Sequence, residues 1–258
     1  MIPKTIHYCW FGRNPLPESA QRCIASWRKF FPDYQIIEWN EDNFDVNAIP
    51  YTAQAYAARK YAFVSDFARF QILYDHGGLY FDTDVEVIAP MDDIIARGPF
   101  MGFEIDPKAE QAGRDGACGA VAPGLGLGVN PGLGLYAEIL QAYREFQFLN
   151  PNGSPNQTTV VTYTTQILLR HGLKATPGIQ QVAGVFIYPK EYFNPLDDNT
   201  GRLVRTPNTR SIHWYTKTWL NRPKWRHKLA QLSHRILGTD TPAKIRRFFL
   251  KIFKGSPK

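Results

Sequence analysis

Asp82, Asp84 and Glu86 stand at every second position of YFDTDVEVI, flanked by β-forming residues from Leu79 to Phe81 and from Val85 to Ile88. This pattern predicts one strand carrying all three carboxylates on a single face near its C-terminal end. In an open α/β sheet that end is where ligands bind. Carboxylates so close together are costly to keep ionised unless a cation neutralises them. Hard oxygen donors suit Mg²⁺ or Mn²⁺, which commonly keep waters and take substrate phosphates.

The element that positions this strand lies just before it. Phe63, Phe67, Phe70 and Leu73 to Tyr74 recur at spacings of three and four, so residues 61–76 are expected to form a buried amphipathic helix. Gly77 and Gly78 supply its stop, because glycine accepts the left-handed conformation of a helix C-terminus. Asp66 and Arg69 fall on one helical face beside Ser65. Taken alone, an Asp and Arg at that spacing read as an ion pair.

Together, SDFARFQILYDHGGLYFDTDVEV resembles the signature of the DXD sugar transferases of glycosyltransferase family 32. That family includes fungal Golgi mannosyltransferases and bacterial polysaccharide enzymes, with clostridial glucosylating toxins as distant relatives. The likeness continues at IPKTIHYCWFG and at SIHWYTKTW, and spans about residues 1 to 220. It implies a GT-A fold, a nucleotide-sugar donor, a divalent metal and retention of anomeric configuration. It makes Asp82, Asp84 and His213 the metal ligands. It implies donor contacts by Trp10, Ser65, Tyr80 and Trp219, with Asp66 and Arg69 fixing the sugar. Asp82 has a second implied role, reaching ribose or sugar hydroxyls, and so Asp66, Arg69 and Asp82 stand as the catalytic set. Without the resemblance, Trp10 reads as a core tryptophan and His213 as a structural histidine. The last motif departs from the family pattern: Trp214 replaces a second histidine, Lys217 a glycine and Thr218 a serine. Lys217 could bind the leaving diphosphate.

The rest of the chain fits a Rossmann-like nucleotide-binding α/β/α sandwich. Pro3 to Phe11 and Tyr34 to Trp39 read as strands, with a helix over 17–30 between them and an Ala-rich helix over 51–59. Phe100 to Glu104 and Ala117 to Ala122 read as further strands, separated by a mobile loop over 105–118. GLGLGVNPGLGLY lacks the Gly-Lys-Ser/Thr of a phosphate-binding loop, and a helix is expected from Pro131 to Phe148. Another helix follows over 158–171, then a short strand over 185–188.

Charge is divided unevenly. Residues 222–258 carry eleven Lys or Arg against Asp240, a net of +10, while residues 1–221 carry a net of −3. The expected organisation is therefore a catalytic domain over 1–221 and a basic amphipathic helical tail over 222–258. An anionic partner suits the tail, and an anionic membrane surface suits it better than nucleic acid, because no nucleic-acid motif accompanies the charge; docking of the tail on the body or pairing in a dimer is the alternative. Cys9, Cys23 and Cys118 lack metal-ligand spacing and read as reduced thiols. With no apolar run of membrane-spanning length, the expected place is the cytoplasmic face of the cell membrane. The expected partners are a nucleotide-sugar donor, a UDP-hexose first with GDP-mannose open, and a saccharide acceptor, lipid-linked where it serves surface polysaccharide synthesis. A metal-containing carbohydrate- or lipid-binding protein is the alternative, and release of nucleotide from a nucleotide sugar discriminates the two.

Overall fold

The computed structural model describes residues 1–156 and 158–216. Seven strands form the main path of the eight-stranded central sheet. They are β1 (Thr5–Cys9), β2 (Gln35–Trp39), β3 (Gly78–Tyr80), β5 (Phe100–Ile105), β7 (Leu127–Val129), β8 (Gln180–Val182) and β9 (Val185–Tyr188). Their order is β2-β1-β3-β7-β5-β9-β8, and β6 (Ala120–Val121) pairs with β5 beside that path. β2, β1 and β3 are mutually parallel, as are β5 and β9, while β7 runs against both β3 and β5. Five strands thus point their carboxyl ends to one edge.

Side-chain alternation splits the core into two layers. Ile6, Leu79, Phe100 and Tyr188 pack with Cys23, Ile24 and Trp27 of α1 (Glu18–Phe30) on one face. Tyr80, Met101, Val185 and Ile187 pack on the other. That second face is covered by α2 (Pro50–Ala57), α3 (Tyr61–His76), α5 (Gly134–Glu145) and α6 (Val160–Arg170). The expected α/β/α sandwich is the architecture the chain adopts. Two short helices, α4 (Asp92–Arg97) and α7 (Lys190–Phe193), complete the first face. Adjacent residues of one strand serve opposite layers, which is how a sheet buried on both sides reads.

α3 is the central helix, with Val64, Phe67, Phe70, Ile72 and Leu73 all buried. It ends where expected: Gly77 and Gly78 have φ of 64° and 98°. A side chain at Gly78 would also press on the Thr5 carbonyl.

Several expectations need correction. The single strand from Leu79 to Ile88 is two strands, β3 and β4 (Val85–Val87), in different sheets. Asp82 to Asp84 form the turn between them, closed by the Val85 amide donating to the Asp82 carbonyl at 3.0 Å. β4 instead pairs antiparallel with β12 (Ser211–His213). The helix expected from Pro131 starts at Gly134. The glycine-rich run before it conceals β7, whose Gly128 leaves room for the Phe100 ring.

Leu196–Val204 belongs to a compact unit separate from this body. Within that segment β10 (Leu196–Asp197) and β11 (Arg202–Leu203) form an antiparallel hairpin. The expected tail helices, the 221/222 boundary, Lys217 and Trp219 lie outside the described residues. No described helix is long and apolar enough to cross a membrane.

Candidate active site

The carboxyl edge of the sheet collects the chemistry-bearing residues. α3 contributes Asp66 and Arg69, the β3–β4 turn contributes Asp82 and Asp84, and β12 contributes His213. Two arrangements result, one around Arg69 and one around Asp84.

Arg69 has a side chain only 4% exposed, yet all three of its nitrogens are used. Nη2 donates to Asp66 Oδ1 at 2.8 Å, Nη1 to Asp82 Oδ2 at 3.4 Å, and Nε to the Ser65 carbonyl at 3.1 Å. The guanidinium also lies 5.1 Å from the centroid of the Tyr80 ring. Tyr80 in turn donates its hydroxyl to Asp82 Oδ1 at 3.1 Å. A charge this buried is held only because carboxylates and a ring face replace its water. Burial pushes the Asp66 carboxyl up to about 7, opposed by Arg69. Asp82, with a side chain 29% exposed, is the carboxylate of this set with room to meet a ligand. Ser65 turns its hydroxyl inward, donating to the Tyr61 carbonyl at 3.2 Å.

Asp84 belongs to the second arrangement. Its Oδ1 stands 3.0 Å from His213 Nε2, and its Oδ2 accepts from the Thr216 amide at 2.8 Å and hydroxyl at 3.1 Å. Burial opposes ionisation of Asp84, but His213 and the Thr216 donors outweigh it and hold the carboxyl down at about 2. Burial likewise opposes the His213 imidazolium, and Asp84 overcomes it, raising the ring above its ordinary value. His213 Nδ1 is buried without a hydrogen-bond partner among the described residues.

The expected set of Asp82, Asp84 and His213 is not gathered as one cluster. Among the described residues no group of three or more His, Cys, Asp or Glu could hold a metal. Asp82 instead makes its hydrogen bonds to Arg69 and Tyr80. Glu86 is also elsewhere, accepting from the Trp214 indole at 2.8 Å. Asp84 and His213 nevertheless fit a divalent cation. One carboxylate and one imidazole leave other positions to diphosphate oxygens and water.

Trp10 follows β1 directly at the same edge, half-buried, its indole donating to the Asn14 carbonyl at 2.6 Å. Two contributors escaped sequence reasoning. Thr216 holds Asp84 from a stretch after β12 whose sequence carries no turn signal. Gly124 accepts the Asp82 amide at 3.3 Å and packs against its carboxylate, from within a glycine-rich run that has no fixed spacing to the acid.

Residues 17–101 match the family model described as a glycosyltransferase sugar-binding region containing a DXD motif. The match bears out the family resemblance. The chain is 29% identical over 117 residues to inositol phosphoceramide mannosyltransferase 1 of Schizosaccharomyces pombe, covering 41% of this chain and 35% of that protein. It is 32% identical over 106 residues to uncharacterized glycosyltransferase L373 of Acanthamoeba polyphaga mimivirus, covering 39% of this chain and 42% of that one. The matched regions thus span well under half the length of these curated relatives. Among solved structures, PaToxG glycosyltransferase superposes with a TM-score of 0.48 at 20% identity, over 66% of this chain and 69% of its own.

Proposed function

We propose that this protein is a retaining glycosyltransferase, a reading supported by the match of residues 17–101 to the DXD glycosyltransferase model. It moves a hexose from a nucleoside-diphosphate sugar, a UDP-hexose first among them, to a saccharide hydroxyl. The carrying observation is the pair of arrangements side by side in one turn. Asp82 is oriented by Arg69 and Tyr80, while Asp84 is coupled to His213.

In this reading Arg69 and Tyr80 hold Asp82 fixed, so Asp82 accepts hydrogen bonds from donor hydroxyls without reorganising. Asp66 balances the guanidinium and holds it in place. Thr216 holds Asp84 through two donors, and Asp84 and His213 would together bind a Mn²⁺ or Mg²⁺ ion. When bound, that ion supplies Lewis-acid stabilisation of charge on the departing diphosphate. Release of nucleoside diphosphate from a panel of nucleotide sugars, with Mn²⁺, with Mg²⁺ and with chelator, tests the proposal. Release from none of them in any condition would remove it.

We place the acceptor on a lipid in bacterial surface polysaccharide synthesis, with the enzyme on the cytoplasmic face of the membrane. Support comes from the fungal relative, whose name gives an inositol phosphoceramide as its acceptor. The tail sequence is the second support: Ile245, Phe248, Phe249, Ile252 and Phe253 fall at one-face helical spacing amid Lys244, Arg246, Arg247, Lys251 and Lys254. Co-sedimentation with anionic vesicles at low salt, with and without residues 240–258, tests this. Equal pelleting of both forms would count against it.

A further inference from the structure

The carboxyl ends of β1 and β2 hold a carboxylate that neither arrangement above uses. Glu41 lies two residues beyond β2. Its Oε1 accepts hydrogen bonds from the Gly12 amide and from the Tyr56 hydroxyl, the latter at 2.9 Å. Its Oε2 is buried from solvent and has no hydrogen-bond partner among the described residues. Burial opposes the charge, but donors from the Gly12 amide, Glu41's own amide and Tyr56, with the nearby Arg13, hold the carboxyl below its usual range. A buried carboxylate oxygen without a donor is rare in folded proteins and calls for an explanation.

The loop facing it is shaped for something other than packing. Gly12 and Arg13 both have positive φ, 96° and 55°. An Arg in that conformation is uncommon, and such strain gathers at ligand sites. A Cβ at Gly12 would overlap the Tyr61 ring, and Tyr61 is paired with Tyr56 at 5.4 Å between centroids. Glu41 therefore pins a strained turn with one oxygen and leaves the other buried and unpaired, next to the Trp10 that opens the same turn. In open α/β sheets this edge takes ligands, and in the dinucleotide-binding ones an acid after the second strand accepts from a ribose hydroxyl.

We infer that Glu41 is a specificity-determining residue whose Oε2 accepts a hydrogen bond from a ribose hydroxyl of the donor nucleotide. The inference rests on the nucleotide-sugar reading above, and it adds the half of the donor that the Asp82 and Asp84 arrangements leave unread. No proton changes place, because the carboxylate is an acceptor throughout. A glutamine at this position keeps one carbonyl oxygen for Gly12 and Tyr56 but turns the other oxygen into a donor, which faces a hydroxyl less well.

Calorimetric titration of UDP, GDP and inorganic diphosphate into the full chain with Mn²⁺ tests it, for wild type and Glu41→Gln. The nucleoside diphosphate that binds wild type is expected to lose about 10- to 100-fold in Glu41→Gln, the range for a hydrogen bond to a charged group. Inorganic diphosphate is expected to bind both proteins equally. On wild type alone, the 2′-deoxy and 3′-deoxy forms of that nucleotide supply a second measurement, independent of whether the variant folds. One of them is expected to lose a similar factor, and to lose nothing more in the variant. Unchanged nucleotide affinity in Glu41→Gln, or full affinity of both deoxy forms for wild type, overturns the inference. Inorganic diphosphate binding with neither nucleotide preferred over it would do the same while leaving the Asp84 reading intact. Failure of wild type to bind any of the three would overturn the donor reading, and this inference with it.

Discussion

Arg69 Nη1 stands 3.4 Å from Asp82 Oδ2, a contact that ties the central helix to the turn after β3. The same guanidinium is 2.8 Å from Asp66, so one side chain serves two carboxylates from different elements. Its length and planarity matter, since a lysine offers a point charge where Arg69 offers three directed donors.

Arg69→Met is therefore expected to cost about 3–5 kcal/mol, the scale for removing one partner of a buried ion pair. Arg69→Lys is expected to restore part of the stability and little of the turnover, because Asp82 loses its fixed orientation. Urea denaturation read beside nucleotide-sugar hydrolysis separates the two effects. A methionine variant as stable as wild type would mean the guanidinium is not holding the turn.

Asp84→Ala removes the residue on which His213 and Thr216 both converge. Turnover is expected to fall by several powers of ten, the scale of losing a principal metal ligand. Any rise in melting temperature that Mn²⁺ gives the wild type should vanish in the variant. Because a metal-binding histidine must be neutral, that rise should be larger at pH 8 than at pH 6. A variant that keeps both the Mn²⁺ response and the turnover would remove Asp84 from the centre of the site.

Helix α3 and its glycine stop were legible because they rest on local rules, a spacing of three and four and the left-handed freedom of Gly77. The α/β class was legible for the same reason. The acidic turn was not, since alternation of Asp82, Asp84 and Glu86 is what a strand would show. Only β12, 124 residues further along at its nearest pairing, reveals that β4 belongs to another sheet. β7 and β8 were missed because three-residue strands carry too little pattern to stand out from Gly-rich or polar surroundings. Thr216 reaches Asp84 with its amide and its hydroxyl from 132 residues away, and Gly124 meets Asp82 through its carbonyl from a separate loop, so no local pattern announces either contact.

His7 gives a pH dependence distinct from the site. Its ring is buried, 1% exposed, between Trp39 Nε1 at 3.0 Å from Nδ1 and the Gly77 carbonyl at 3.0 Å from Nε2. The indole can only donate, so Nδ1 is the acceptor and Nε2 carries the proton. Burial, aided by the neighbouring His76 charge, lowers His7 from its ordinary 6.5 to about 4. Between those values the unfolded chain binds a proton that the folded chain refuses. Stability conferred by His7 is thus complete above pH 6.5 and falls as pH drops toward 4, by about 1.4 kcal/mol per unit. Denaturant midpoints at pH 6.5 and 4.5, compared between wild type and His7→Gln, isolate this slope from carboxylate titration. Equal slopes in the two proteins would show that His7 accepts its proton while folded.

Gly124→Ala asks whether the 3₁₀ turn over Pro123–Leu125 shapes the donor side of the site. Gly124 is buried, and its φ lies outside the left-handed region, so alanine meets no backbone penalty there. The obstacle is space: a Cβ would overlap Asp82 Oδ2 and stand 3.3 Å from Arg69 Nη1. Backbone cannot yield easily, because the Gly124 carbonyl accepts the Asp82 amide. Asp82 must therefore rotate away from Arg69. Stability is expected to fall by about 1–3 kcal/mol, the usual cost of overpacking. Turnover is expected to fall more steeply than that loss implies, by about 100-fold, the scale set by an ångström of misplacement at a reacting group. Manganese binding, which depends on Asp84 and His213, should be retained. A Gly124→Ala protein with wild-type turnover would show that Asp82 does not act from the position it holds beside Arg69.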